Sequence, residues 1–220
     1  MLSGAFSLSS YAQSTQPTHT FHDRITRISF DYPANWTFAE RDHEISTFHL
    51  DARTAPRNAR VRAVIAMPEN PYPQSTFSGA YLYFSVSAQS TAAACSRQAV
   101  APRLTATEAA HRTAEIHASH PDDDAAGKPA TIALTTKPDK LQIAGIAFTH
   151  GRDEQRDVCL TQHDDVYTTF RAGSCLRFDL AINNFCGGEV SGVHDITAKQ
   201  LDDVRARLTA ILSTLHFDPK

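Results

Sequence analysis

The sequence predicts an α+β domain in which an antiparallel sheet is closed by a C-terminal amphipathic helix. Three observations carry this. Leu176, Phe178, Leu180 and Ile182 alternate along one segment, which follows Val166 to Arg171 across Ala172-Gly173, the spacing of a β-hairpin with a two-residue turn. Residues 28–38 read as a short strand, a Tyr-Pro turn and a second strand opened by the chain's only Trp. Thr197-Ala198-Lys199-Gln200 has the form of a capping box, and Leu201, Val204, Leu208, Ile211 and Leu215 follow at three- and four-residue steps.

Taken in order, residues 13–20 are polar and read as a linker. Arg24 to Tyr32 alternates Ile25, Ile28 and Phe30 with polar residues, and Pro33 ends it because proline has no N–H for the ladder. Trp36 to Ala39, Ile45 to Leu50 and Arg60 to Met67 follow as strands, and Pro68, Pro71 and Pro73 mark a loop. Ala80 to Ala88, rich in aromatic and β-branched residues, reads as a central strand. Thr91 to Ala101 and Thr105 to Ser119 are Ala-rich and helical in character, the second with Thr107 as N-cap. Residues 121–140 form a surface loop insertion with one short strand at Thr131 to Leu134, and Leu141 to His150 is a further strand. In the closing helix Asp202, Asp203, Arg205 and Arg207 fall on the wet face, and Leu208 sits mid-stripe, where it should be buried.

The 220 residues suit one large domain or two small ones, and 41% apolar content is enough for a real core. A net charge of −3 exerts no general pull toward nucleic acid, and no apolar run reaches the ~20 residues of a membrane span. Leu2, Ala5, Phe6 and Leu8, followed by Ser10-Tyr11-Ala12, resemble the end of a secretory signal with cleavage after Ala12, which places the start of translation upstream of Met1; a disordered arm is the other reading.

Four cysteines, Cys95, Cys159, Cys175 and Cys186, contain no C-x-x-C, so they read as disulfides or as buried thiols rather than as a zinc ribbon. If Ala172-Gly173 is a two-residue turn, Arg171 faces Ser174, and the same register carries Cys159 to Cys186, leaving Cys95 for Cys175. That ladder exceeds the ~3–10 residues of an ordinary strand, and a bulge between Gln162 and Asp165 would shift it by one.

Motifs for chemistry are absent or incomplete. His43-Glu44 lacks the second histidine of a zinc-protease helix, because position 47 is Thr. His111, His117 and His120 lie near Asp122, Asp123 and Asp124, but Pro121 breaks the helix, and a solvated helix end is the plainer reading. His163-Asp164-Asp165 reads as a turn without the Gly and Glu of a calcium loop. No G-x-S-x-G or phosphate-binding loop occurs. Asn35-Trp36-Thr37 fits a glycosylation sequon. No catalytic residue, metal ligand or cofactor is assigned.

Phe30, Tyr32, Pro33 and Trp36 at the front, the hairpin from Tyr167 to Ile182, and the helix from Leu201 to Phe217 together resemble the PsbP-like superfamily. That group includes the photosystem extrinsic subunit PsbP, a nuclear Ran-binding factor of the same fold and many secreted bacterial proteins. The resemblance implies an antiparallel β-sheet flanked by helices on both faces, an α/β/α sandwich, with Tyr32, Pro33, Trp36 and Leu208 in structural roles. It implies no activity, since known members are mostly binding or assembly factors, and it carries no partner-contacting residue onto this chain.

The expectation is therefore a signal remnant and linker over residues 1–20 and one PsbP-like domain over residues 21–220, secreted or periplasmic. It would be a non-enzymatic binding or assembly module for a protein or small ligand, with no nucleic acid and no transmembrane anchor. A small hydrolase-type enzyme with dispersed catalytic residues is the alternative, and a metal- or ligand-sequestering protein is a third.

Overall fold

The computed structural model describes residues 17–40, 59–99, 131–134, 137–157, 160–185 and 192–218, together with Ala114 and Ala118. Two antiparallel sheets and a long closing helix dominate. The small sheet runs β1 (Thr18–Asp23), β2 (Ile28–Pro33) and β11 (His216–Phe217), in the order β1-β2-β11. The large sheet is formed by β3 (Thr37–Ala39), β4 (Arg60–Ala66), β5 (Phe77–Ser87), β6 (Thr131–Leu134), β7 (Asp139–Ile143), β8 (Ile146–Asp157), β9 (Leu160–Arg171) and β10 (Ser174–Phe185). Its order is β3-β4-β5-β10-β9-β8-β6, with β7 also paired to β8. The helices are α1 (Ala92–Arg97) and α2 (Ala198–Ser213).

The hairpin at the centre of the large sheet is built on Ala172 and Gly173, both at positive φ (49° and 78°), as a primed two-residue turn requires. From it β9 and β10 run unbroken, Ser174 opposite Arg171 through Phe185 opposite Leu160. No bulge interrupts Gln162 to Asp165. His163, Asp164 and Asp165, expected as a turn, are strand residues in the middle of the sheet, and Asp164 and Asp165 are buried. Cys95 is bonded to Cys175 with a Cα–Cα distance of 5.1 Å, inside the usual ~4.4–6.8 Å. Cys159 and Cys186 lie outside the described residues.

On β10, Leu176, Phe178, Leu180 and Ile182 face the main core, where Phe178 stacks on Phe84 at 4.8 Å between ring centroids. The closing helix buries Val204, Leu208, Ile211 and Leu212 against it. Its capping box is complete: Gln200 N–H donates to Thr197 Oγ1 (3.2 Å) and Thr197 N–H to Gln200 Oε1 (2.9 Å). These four large apolar side chains, at about 1.5–3 kcal/mol each, hold the helix on the sheet. Tyr72 adds a tie, its hydroxyl donating to Asp203 Oδ2 at 2.6 Å.

Several expectations need correction. Thr18 to Thr20, read as linker, are strand, because Phe21 pairs with Phe30 and brings its neighbours into register. Residues 24–27 are a turn: Asp23 accepts hydrogen bonds from the Ile25 N–H and the Thr26 hydroxyl, which ends β1, and Ile25 is left 75% exposed. Leu141 to His150 is not one strand but parts of β7 and β8, folded at Ala144-Gly145, both at positive φ. Tyr32 is buried, but Trp36 is only half-buried, at the rim of the core beside the turn closed by Trp36 N–H to Pro33 O. Helices on both faces are not what the described residues show. One long helix covers one face, and α1 is a six-residue element held at the sheet by its disulfide. Of the expected second Ala-rich helix only Ala114 and Ala118 are described, both helical. Residues 45–50, the N-cap Thr107 and the signal-like residues lie outside the described part.

Candidate functional site

At the hairpin-turn end of the sandwich a cleft of about 460 Å³ opens between the β1–β2 turn and the large sheet. Its inner wall is apolar: Val86 from β5, Leu176 from β10 and Ala88 just beyond β5, with Ile25 at the mouth. Its polar lining is largely guanidinium. Arg27 comes from the β1–β2 turn, Arg60 and Arg62 from the start of β4, and Arg171 from the end of β9.

Local structure explains how each is placed. The pairing of β4 with β5 shifts between Val61 and Ala63, so Arg62 is the extra residue of a β-bulge, a device that re-aims a side chain. Arg62 donates to Asp23 from Nη2 (2.8 Å) and from Nε (3.3 Å). Burial alone would raise the Asp23 carboxyl, but bonds from Arg62, the Ile25 N–H and Thr26 outweigh it and hold Asp23 below the usual carboxylate range. Arg171 lies over the Phe217 ring at 4.8 Å and donates through Nη2 to the Asp218 carbonyl (3.1 Å), so its position is fixed by the chain's last strand. Arg60 is exposed. The four arginines are scattered over the sequence, and only the fold brings them together.

A second polar cluster sits where the sequence suggested a turn. Asp165 Oδ1 accepts from His150 Nε2 (2.9 Å) and Arg152 Nε (2.9 Å), and Oδ2 accepts from Arg205 Nε (2.7 Å). His150 stacks on Tyr167 at 4.4 Å. Burial would raise Asp165, but these three cationic or donor groups outweigh it and lower its pKa. Burial pushes the Tyr167 phenol up to about 12. Arg205, expected on the wet face, is therefore half-buried and structural.

Across the sheet, on the other face of β9 and β10, Arg177 Nε lies 2.9 Å from Asp179 Oδ1, and Arg177 Nη1 donates to the Gln98 carbonyl (2.8 Å). Asp153 and Asp164 are direct cross-strand partners on that face, both buried. Burial, only partly offset by Arg177, pushes Asp153 up to about 7 and Asp164 well above the carboxylate range. Asp153 and Asp164 are thereby biased toward the protonated form. Gln162 Nε2 donates to Asp164 Oδ2 (3.2 Å), and Thr168, Ser85 and Asn183 add hydroxyls and an amide to the same face. This cluster was missed because Asp164-Asp165 has the composition of a turn, although the register carried out to Cys159 and Cys186 runs through both residues as strand.

Among the described residues, no group of three or more His, Cys, Asp or Glu is arranged to hold a metal ion. His43 to His49, and His111, His117, His120 and Asp122 to Asp124, lie outside the described residues, and no helix among those described is long and apolar enough to cross a membrane.

No family model and no curated protein sequence matches the chain. Solved structures do. Cyanobacterial PsbP from Synechocystis matches 96% of this chain and 98% of its own at 14% identity, with a TM-score of 0.48. The Ran-binding protein Mog1p of Saccharomyces cerevisiae matches 92% and 96% at 9% identity, with a TM-score of 0.41. LpqN of Mycobacterium tuberculosis, described as involved in cell envelope biogenesis, matches 92% and 91% at 7% identity, with a TM-score of 0.36. At these identities no residue role passes from those proteins to this one.

Proposed function

We propose that this chain is a non-enzymatic, PsbP-like binding or assembly module, secreted or periplasmic, that holds its partner at the arginine-lined cleft. The observation that carries this is the lining itself: an apolar wall of Val86, Leu176 and Ala88 with four guanidinium groups. Guanidinium stays charged at any physiological pH and donates without accepting, so it suits recognition of an anion rather than proton transfer. Location outside the cytoplasm is supported by the Cys95–Cys175 disulfide, since such bonds persist in oxidising compartments. In this reading one domain runs from β1, which opens at Thr18, to residue 220, with residues 121–140 an insertion in it.

The test places a photo-cross-linking amino acid at Ile25, at the mouth of the cleft, and, in a separate variant, at Lys199, exposed at the start of α2. Each full-length variant is expressed in the native host, followed by fractionation. The expected result is a defined cross-linked species from position 25 in the extracytoplasmic fraction, lost with Arg60→Glu and not seen from position 199. Equal labelling from both positions, or recovery in the cytosol, would contradict the reading.

A further inference from the structure

We propose that the cleft takes a small amphiphilic carboxylate, with its head on the arginine rim and its apolar tail in the slot between the two sheets. This rests on the binding-module reading above and adds the ligand class.

The first ground is shape. The cleft lies where the β1–β2 turn lifts away from the large sheet, and its inner wall continues into the main core, since Leu176 is a buried core residue that also lines it. About 460 Å³ lies within the ~300–1,000 Å³ of small-molecule pockets. A tail entering it would cover Val86, abut Leu176 and reach under Ile25, which the β1–β2 turn leaves 75% exposed at the mouth.

The second ground is charge. Among the described residues, four arginines and no carboxylate line the cleft; Asp23, just behind it, neutralises Arg62. Arg171 spends one Nη2 hydrogen bond on the Asp218 carbonyl, and Arg60 is exposed at the start of β4. Arg60 and Arg171 thus set positive charge over an apolar wall, the inverse of an amphiphilic anion. A planar carboxylate meets a guanidinium fork with two parallel bonds. A phosphate dianion would bring a larger desolvation cost against the same apolar wall.

The experiment is calorimetric titration of the full, oxidised chain with octanoate, acetate, 1-octanol and inorganic phosphate. Octanoate should bind at least tenfold more tightly than acetate, which lacks the tail, and than 1-octanol, which lacks the charge. Arg60→Gln should weaken octanoate roughly tenfold, the scale of one charge-assisted hydrogen bond, and leave 1-octanol unchanged. Ile25→Asp should weaken octanoate further while the unfolding midpoint stays put. Acetate or phosphate equal to octanoate, 1-octanol equal to octanoate, or no heat from any of them would each overturn the ligand class. A chain silent to octanoate that still gives a protein cross-link from position 25 overturns this inference and leaves the binding module standing; one silent in both experiments loses both.

Discussion

Arg205 Nε lies 2.7 Å from Asp165 Oδ2, joining the closing helix to the middle of the large sheet. Asp165 is buried and also takes hydrogen bonds from His150 and Arg152. Removing it strands these donors around an empty position. Asp165→Ala should therefore cost about 3–5 kcal/mol, the usual penalty for breaking a buried ion pair from one side. Denaturant unfolding followed by far-ultraviolet dichroism measures it. A loss below about 1 kcal/mol would mean that the network is solvated and adds little.

Leu208 is fully buried at the centre of the helix stripe, within the cluster that holds Val204, Ile211 and Leu212. Leu208→Ala should cost about 2–5 kcal/mol through lost burial and the cavity left behind. Thermal melts should show a clearly lowered midpoint, whereas Thr209→Ala, at an exposed position one residue along, should cost much less. Equal effects at the two positions would contradict the helix orientation.

What the sequence made legible follows from periodicity. The alternation of Leu176 to Ile182 and the three- and four-residue steps from Leu201 to Leu215 gave the hairpin and the closing helix, because one buried face imposes its period on the chain. The β1–β2 turn escaped, because Ile25 fits the alternation while Asp23 caps a turn instead. The hairpin at Ala144-Gly145 escaped because apolar residues flank it on both sides. The cleft was illegible for a different reason: Arg27, Arg60, Arg62 and Arg171 share no local spacing, and only the strand order brings them to one end of the sheet. Buried Asp153 and Asp164 escaped because aspartate ordinarily signals a solvated turn.

Those two carboxyls give the fold a pH dependence. Burial, with the nearby carboxyls adding to it and Arg177 opposing it, raises Asp153 to about 7, while an unfolded aspartate titrates near 3.9. Between those values the folded chain holds more protons than the unfolded one. This contribution to stability is therefore complete below about pH 4 and lost as pH rises through about 7. Asp164, raised as well, acts in the same direction. Asp165 is lowered and acts oppositely, with its contribution lost only as pH falls below the unfolded value. Unfolding free energy should thus fall by about 2–4 kcal/mol between roughly pH 4.5 and 8, and Asp153→Asn should flatten that slope. A wild-type profile that rises over this range would have the wrong sign for buried neutral carboxyls.

The register of β9 and β10 predicts a partner for each remaining cysteine. Opposed residues on β9 and β10 run without a break from Arg171 and Ser174 to Leu160 and Phe185. Continued one step past those ends, the register would oppose Cys159 to Cys186, which lie outside the described residues. Directly opposed residues of an antiparallel ladder stand about 4.5–5.5 Å apart at Cα, within disulfide range. Because Cys175 is already committed to Cys95, a second bond leaves no other pairing. Closing a loop of about 28 residues should stabilise the chain by roughly 3–4 kcal/mol in the chain-entropy treatment. Peptide mapping under non-reducing conditions should yield one linked peptide containing Cys95 and Cys175 and another containing Cys159 and Cys186. Free thiols at Cys159 and Cys186 would mean that the ladder diverges past Phe185, and a Cys175–Cys186 linked peptide would contradict both bonds at once.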